Sequence, residues 1–148
     1  TVLTPDGDVV VLKNEELELG YRTSCIKKKH YMILEVVLKL EKGDQEKIKA
    51  RMDELKEQRV TKQPLEFPSA GSTFKRPVGY YAAALIDECG LKGLTVGDAQ
   101  VSTKHAGFVI NKEKATCKDV LELIKKIQNE VLTKKGVKID TEVIFIGR

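Results

Sequence analysis

A serine with glycine on one side and two cations on the other marks the first place where chemistry is concentrated in this chain. The segment is Pro68-Ser69-Ala70-Gly71-Ser72-Thr73-Phe74-Lys75-Arg76-Pro77. Gly71 lets the backbone approach a ligand, and Ala70 leaves space beside it. Ser72 offers a hydroxyl, while Lys75 and Arg76 supply positive charge within a few residues. Such a set can hold a phosphate and present a proton donor. From spacing alone, a tight surface loop with incidental charges reads the same way.

Two further positions carry chemistry. Glu142 lies in a stretch where Val137, Ile139, Val143 and Phe145 alternate with Lys138, Asp140 and Glu142, the pattern of a half-buried strand. Its face ends in Ile144 and Ile146, and burial beside them favours the neutral acid. The competing reading is a solvated carboxylate beyond the core edge. In Gly20-Tyr21-Arg22-Thr23-Ser24, Arg22 is either an anion clamp, since guanidinium matches a carboxylate with two hydrogen bonds, or a surface arginine in a connecting segment. No Walker phosphate loop, Rossmann fingerprint or zinc-hydrolase motif is present in the sequence.

The elements that must position these groups are legible in outline. Pro5-Asp6-Gly7-Asp8 is turn chemistry before the apolar run Val9 to Leu12. Asn14 to Leu19 suits a single helical turn, and Tyr31 to Leu40 is strand-like. Gly43-Asp44 opens a charged helix with Ile48, Met52 and Leu55 at helical spacing, ending near Val60 ahead of Pro64. The span from Pro64 to Pro77 reads as a structured loop. A second helix is predicted from Tyr80 to Glu88, closed by Gly90, with short strands at Leu94-Thr95-Val96 and Phe108-Val109-Ile110. Thr116-Cys117-Lys118-Asp119 resembles a capping box and opens the clearest helix. Val120, Leu123, Ile124, Ile127 and Val131 form its apolar stripe, and Gly136 ends it.

The sum is an α+β chain with no internal repeat. Its 148 residues suit one domain, or one domain with pieces of a neighbour. The first strand begins almost at residue 1, which leads us to expect a segment upstream. No apolar run approaches the roughly 20 residues that span a bilayer, and the opening residues do not form a signal peptide; a cytoplasmic protein that does not enter the membrane is the expectation. Cys25, Cys89 and Cys117 are odd in number and far apart, which predicts reduced thiols and no metal site. A net charge of +4 suits an anionic partner. Lys27-Lys28-Lys29 invites a nucleic-acid reading, but Trp is absent and no aromatic residues alternate with basic ones, so that partner is not expected.

Taken in order along the chain, these segments resemble the UDP-N-acetylenolpyruvoylglucosamine reductase (MurB) family. Gly20 to Ser24 matches its G-Y-R-x-S pattern, and Ala70 to Pro77 its A-G-S-x-F-K-x-P loop. Ala82 to Gly93 looks like A-x-x-L-I-(D/E)-x-x-G-L-K-G, and Val101 to Asn111 and Glu142 to Gly147 resemble its last two blocks. The flavin-binding segment of the G-x-P-G-x-x-G-G type is not in this sequence. The resemblance therefore implies the C-terminal portion of such an enzyme, with residues 1–40 ending the FAD-binding domain. Residues 41–133 would form the substrate-binding domain, and 134–148 a strand returning to the flavin region. Only a short link and one helix join Leu40 to the serine loop, which matches the subgroup lacking a tyrosine-bearing insertion.

The resemblance also implies a reaction: NADPH reduces FAD, which reduces UDP-N-acetylglucosamine enolpyruvate to UDP-N-acetylmuramate for peptidoglycan. Ser72 would give the proton to carbon, Arg22 bind the substrate carboxylate, and a neutral Glu142 hydrogen-bond the developing enolate. Lys62, Lys75 and Arg76 become candidates for the diphosphate, Tyr21 for packing at the reaction centre, and His105 for a substrate contact or a structural role. Some relatives have a polar amide where this chain has Arg76. A monomer is expected, and the isolated chain is expected to be inactive and not to retain FAD. The alternative from another class is a stand-alone nucleotide-sugar binding module without redox activity.

Overall fold

The computed structural model describes residues 1–20 and 22–147, which divide into two units, Thr1–Asp44 and Gln45–Arg148. In the first, β1 (Val2–Leu3) pairs antiparallel with β2 (Val9–Val10) across the Pro5-Asp6-Gly7 turn. Thr4 and Asp8 close that turn through Thr4 N donating to Asp8 O at 2.9 Å. The other edge of β1 takes β3 (Met32–Ile33), so the sheet order is β2-β1-β3. The expected strand from Tyr31 to Leu40 is thus realised over two residues, because β1 offers only Val2 and Leu3 as partners. Between β2 and β3, Asn14–Leu17 makes one 3-10 turn, as its sequence suggests. Cys25–Lys28 forms a short α1. Lys27 and Lys28 end this helix and Lys29 caps it, where cations suit the helix dipole, and Lys28 pairs with Glu18 at 3.0 Å.

The second unit opens with α2 (Gln45–Lys62). Ion pairs at helical spacing, Lys49–Asp53 and Arg51–Glu54, line it. None of its side chains is buried, and Ile48, Met52 and Leu55 stay exposed. The proline-rich segment that follows is more regular than expected. Ser69–Ser72 forms β4, the edge of a four-stranded sheet ordered β4-β7-β6-β5. The remaining strands are β5 (Thr95–Val96), β6 (Ala99–Val101) and β7 (Phe108–Asn111), all antiparallel. Before β5, α3 (Ala82–Glu88) ends at Gly90, as its sequence indicates.

The helix α4 (Cys117–Lys135) covers this sheet. Leu123, Ile124, Ile127 and Val131 are buried against Val101, Ala99, Leu85 and Ile86, with Val120 packed at the margin. Each such aliphatic side chain contributes about 1.5–3 kcal/mol by leaving water. Thr116 and Asp119 form the capping box, and Gly136, at φ +67°, donates its amide to Leu132 O to close the last turn. Beyond α4 the expected strand is an extended segment with one bridge, Phe74 to Thr141. The alternation holds as far as Val143: Ile139 is buried and Val137 and Val143 are half-buried, while Lys138, Asp140 and Glu142 face out, but Phe145 is exposed. Cys25 and Cys89 are buried thiols and Cys117 is an exposed one.

Candidate functional site

Ser72 is the last residue of β4, and its position follows from an irregular ladder. Ser69 faces Ile110, but Ser72 faces Phe108, so β4 spends one residue more than β7 over the same span. Gly71 absorbs the kink at φ +81°, a conformation that side-chain-bearing residues rarely adopt. Ser72 is exposed, and the next residue, Thr73, is buried.

Three bonds fix that step from exposed serine to buried threonine. The Thr73 amide donates to Gly107 O at 2.8 Å, and Thr73 O accepts the Glu142 amide at 2.9 Å. Thr73 Oγ1 accepts the Val109 amide at 3.1 Å. One residue on, the Lys75 amide donates to Asp140 O at 2.8 Å. The backbone thereby sets Glu142 opposite Thr73, the chain neighbour of Ser72. The Ser72 and Glu142 side chains are exposed, so Ile144 and Ile146, themselves exposed at 82% and 94%, give Glu142 no buried apolar face in this chain.

A second cluster lies where the C-terminal end of α2 meets the loop before β7. Arg59, Lys62, Gln58, Gln63, Leu55 and His105 line a cleft of about 330 Å³. Lys62 and His105, both picked out from sequence, meet in it. Arg59 and Gln63 were not, although they stand three residues before and one after Lys62. Ser102 is buried, and its Oγ accepts the amides of Lys104 and His105 at 3.1 and 3.2 Å, fixing the loop. Lys104 Nζ donates to Val60 O at 2.8 Å, satisfying a carbonyl in the last turn of α2 and holding helix and loop together.

His105 is itself oriented. Its Nδ1 accepts the Gly107 amide at 3.1 Å, and its ring meets Phe108 edge-on at 4.9 Å. A neutral ring accepting at Nδ1 carries its proton on Nε2. A Cβ on Gly107 would come within 3.1 Å of the imidazole, so glycine makes room for that orientation. Gly107 is also the joint between clusters: its amide holds His105, and its carbonyl holds Thr73.

Lys75 and Arg76 follow Ser72 and are exposed. The Arg76 guanidinium stacks 3.9 Å from the centroid of the Tyr81 ring, which uses its face and leaves its N–H edge for an anion. Arg22 belongs to the first unit. Gly20 and Thr23 exchange backbone hydrogen bonds at 3.0 and 3.3 Å, and Arg22 sits in the turn they close with φ +55°. A left-handed conformation costs a non-glycine residue about 1–2 kcal/mol, and such strain gathers at functional positions. Tyr21 lies outside the described residues. Among the described residues, no three His, Cys, Asp or Glu side chains gather as for a metal ion, and no helix is long and apolar enough to cross a membrane.

The family model for the C-terminal domain of UDP-N-acetylenolpyruvoylglucosamine reductase matches residues 63–146. Over 146 residues, the chain is 58% identical to the UDP-N-acetylenolpyruvoylglucosamine reductase of Clostridium tetani, covering 99% of this chain and 48% of that protein. For the Clostridium novyi protein of that name, identity is 53% over 147 residues, with the same shares covered. The crystal structure of UDP-N-acetylenolpyruvylglucosamine reductase (MurB) from Thermus caldophilus is similar at a TM-score of 0.79 and 39% identity, over 95% of this chain and 50% of that one. The chain spans about half the length of the curated relatives it matches.

Proposed function

This chain belongs to the UDP-N-acetylenolpyruvoylglucosamine reductase family, and we propose that it is the C-terminal, substrate-binding half of an enzyme that reduces UDP-N-acetylglucosamine enolpyruvate to UDP-N-acetylmuramate for peptidoglycan. NADPH is the electron donor and FAD the carrier; the enzyme is a cytoplasmic monomer. The observation that supports this reading is the backbone hydrogen bond from the Glu142 amide to Thr73 O, 2.9 Å, which ties Glu142 to the residue next to Ser72. Reduction of an enolpyruvyl double bond builds negative charge on an enolate and then needs a proton at carbon. Ser72 supplies that proton from Oγ, and Lys75, three residues on, lies close enough along the chain to favour the alkoxide left behind. Glu142 hydrogen-bonds the enolate oxygen, and Arg22 takes the substrate carboxylate, an electrostatic role often worth a few kcal/mol. The cleft of Arg59, Lys62 and His105 takes part of the nucleotide diphosphate, with Arg76 and Lys75 nearer the serine and Tyr21 against the reaction centre.

The first unit does not suit a flavin on its own. Its apolar groove, about 370 Å³, is walled by residues such as Val11, Leu12, Leu19 and Ile33, and among the described residues Glu35 is the charged side chain that lines it. A flavin diphosphate needs donors or cations, so we place its phosphates on residues outside this chain.

The test is Ser72→Ala in the intact enzyme, with flavin absorbance followed on a rapid-mixing time scale. Reduction by NADPH needs no protonation at carbon and stays near normal. Reoxidation by the enolpyruvyl substrate slows by several orders of magnitude. Equal slowing of both steps gives Ser72 a structural role, and nucleotide-sugar binding with no reoxidation in the wild type returns the chain to a binding module.

A further inference from the structure

We infer that Thr73 is a positioning residue for the reaction, acting through Ser72 and Glu142; this rests on the function proposed above. Thr73 touches neither solvent nor a ligand: it is 3% exposed. Yet three hydrogen bonds, from two other stretches of the second unit, meet on it. Its amide reaches Gly107 at the start of β7, its carbonyl takes the Glu142 amide, and its hydroxyl takes the Val109 amide in the middle of β7.

The side-chain bond is the informative one. A threonine in a regular strand has its hydroxyl to spare, because ladder amides pair with ladder carbonyls. Here the register of β4 slips by one residue against β7 between Ser69 and Ser72. The Val109 amide, buried and pointing at β4, is met by Thr73 Oγ1. The hydroxyl therefore holds the slipped register. It fixes where the bulge falls, and so which residue of Gly71-Ser72-Thr73 turns outward and which inward. The same residue's carbonyl fixes Glu142. A proton donor and an enolate partner must be placed to within a fraction of an ångström, and both are hung from this one buried threonine.

The experiment compares Thr73→Val, which keeps shape and loses the acceptor, with Thr73→Ser, which keeps the acceptor and loses a methyl group. Both are made in the intact enzyme. Rates are taken per bound flavin, so a partly folded preparation does not mimic the effect, and Thr73→Ala replaces Val if Val does not fold. Thr73→Val is expected to slow substrate-driven reoxidation by about tenfold to a hundredfold while NADPH reduction stays within about twofold. Thr73→Ser is expected to restore reoxidation to within about threefold of wild type, as conservative rescue requires. A solvent deuterium isotope effect on product formation should rise in Thr73→Val, because protonation has become the slow step. A merely structural residue moves neither the isotope effect nor one half-reaction alone. If the wild type turns over but Thr73→Val slows both half-reactions equally, or neither, the positioning role is wrong. If the wild type itself is not reoxidised by the enolpyruvyl substrate, the proposed function falls instead.

Discussion

Glu142 can serve a developing enolate in two ways, and substitution separates them. As a hydrogen-bond donor it stabilises charge without moving a proton; as a shuttle it must release one. Glu142→Gln preserves shape and donation, whereas Glu142→Asp preserves the acid and retracts it by one methylene. Donation predicts that Gln retains more substrate-driven reoxidation than Asp, with Ala the slowest. A shuttle gives the reverse order, since an amide releases no proton on demand. The measurement is the reoxidation rate of the three variants from about pH 6 to 9; Asp at wild-type rate with Gln at the Ala rate overturns the donor assignment. At this scale the sequence shows the candidate groups and hides those that hold them. Ser72 and Glu142 stand out by type and pattern but read equally as surface residues, and Lys62 and His105 come forward only through the family resemblance. Thr73 is hidden because its type is ordinary in any strand. Its importance comes from a one-residue register slip that no local pattern encodes. Arg59 is hidden among the other cations of α2, and only the placement of His105 across the cleft distinguishes it.

Capping at the start of α4 is a device of the element, and its pH dependence has a definite sign. The Thr116 amide, and then the Thr116 hydroxyl, donate to the Asp119 carboxylate, which holds its pKa below the ordinary 3.8. A carboxyl group with a lower pKa in the folded state binds fewer protons there than when unfolded. Its stabilisation is therefore complete above the unfolded value and is lost as pH falls through the folded one. Asp119→Asn should unfold more easily than wild type at neutral pH, and the two should converge as the solution is acidified below about 3.8. Thr116→Ala should cost about 1 kcal/mol at neutral pH. Urea unfolding of the three proteins at several pH values checks both statements, and a gap that persists unchanged into acid contradicts the first. Helix α4 is also the most readable element, because 19 residues of helical periodicity with a box at one end and glycine at the other make a strong local signal. Shorter elements were less so. β6 (Ala99–Val101) went unseen, although Gly97-Asp98 between Val96 and Ala99 is a two-residue hairpin signal. β4 was masked by the prolines around it. The stretch from Tyr31 to Leu40 has strand composition, but pairing depends on a partner, and β1 pairs with only two of its residues.

The two units differ in how much of themselves they bury, and that difference bears on the cofactor. The second unit has a continuous core from Phe74 to Ile139. In the first, Val2 and Cys25 are the only buried side chains among the described residues, while Val36, Val37, Leu38 and Leu40 are 66–86% exposed. A contiguous aliphatic run left in water is the mark of a surface meant for a partner, and 44 residues with two buried side chains fall short of a self-sufficient domain. Together with a groove lined by no basic side chain among the described residues, this fits the proposal that the flavin diphosphate is held outside the first unit. The chain as it stands should therefore purify colourless and titrate with FAD weakly or not at all. The intact enzyme should carry FAD and oxidise NADPH slowly until the enolpyruvyl substrate is added. Absorbance between about 350 and 500 nm (the flavin region), together with equilibrium dialysis against FAD, separates the cases. A yellow preparation with one flavin per chain would mean that this chain itself holds the diphosphate, through cations beyond the groove or through nests of N–H groups. The division of labour between the two halves would then have to be redrawn.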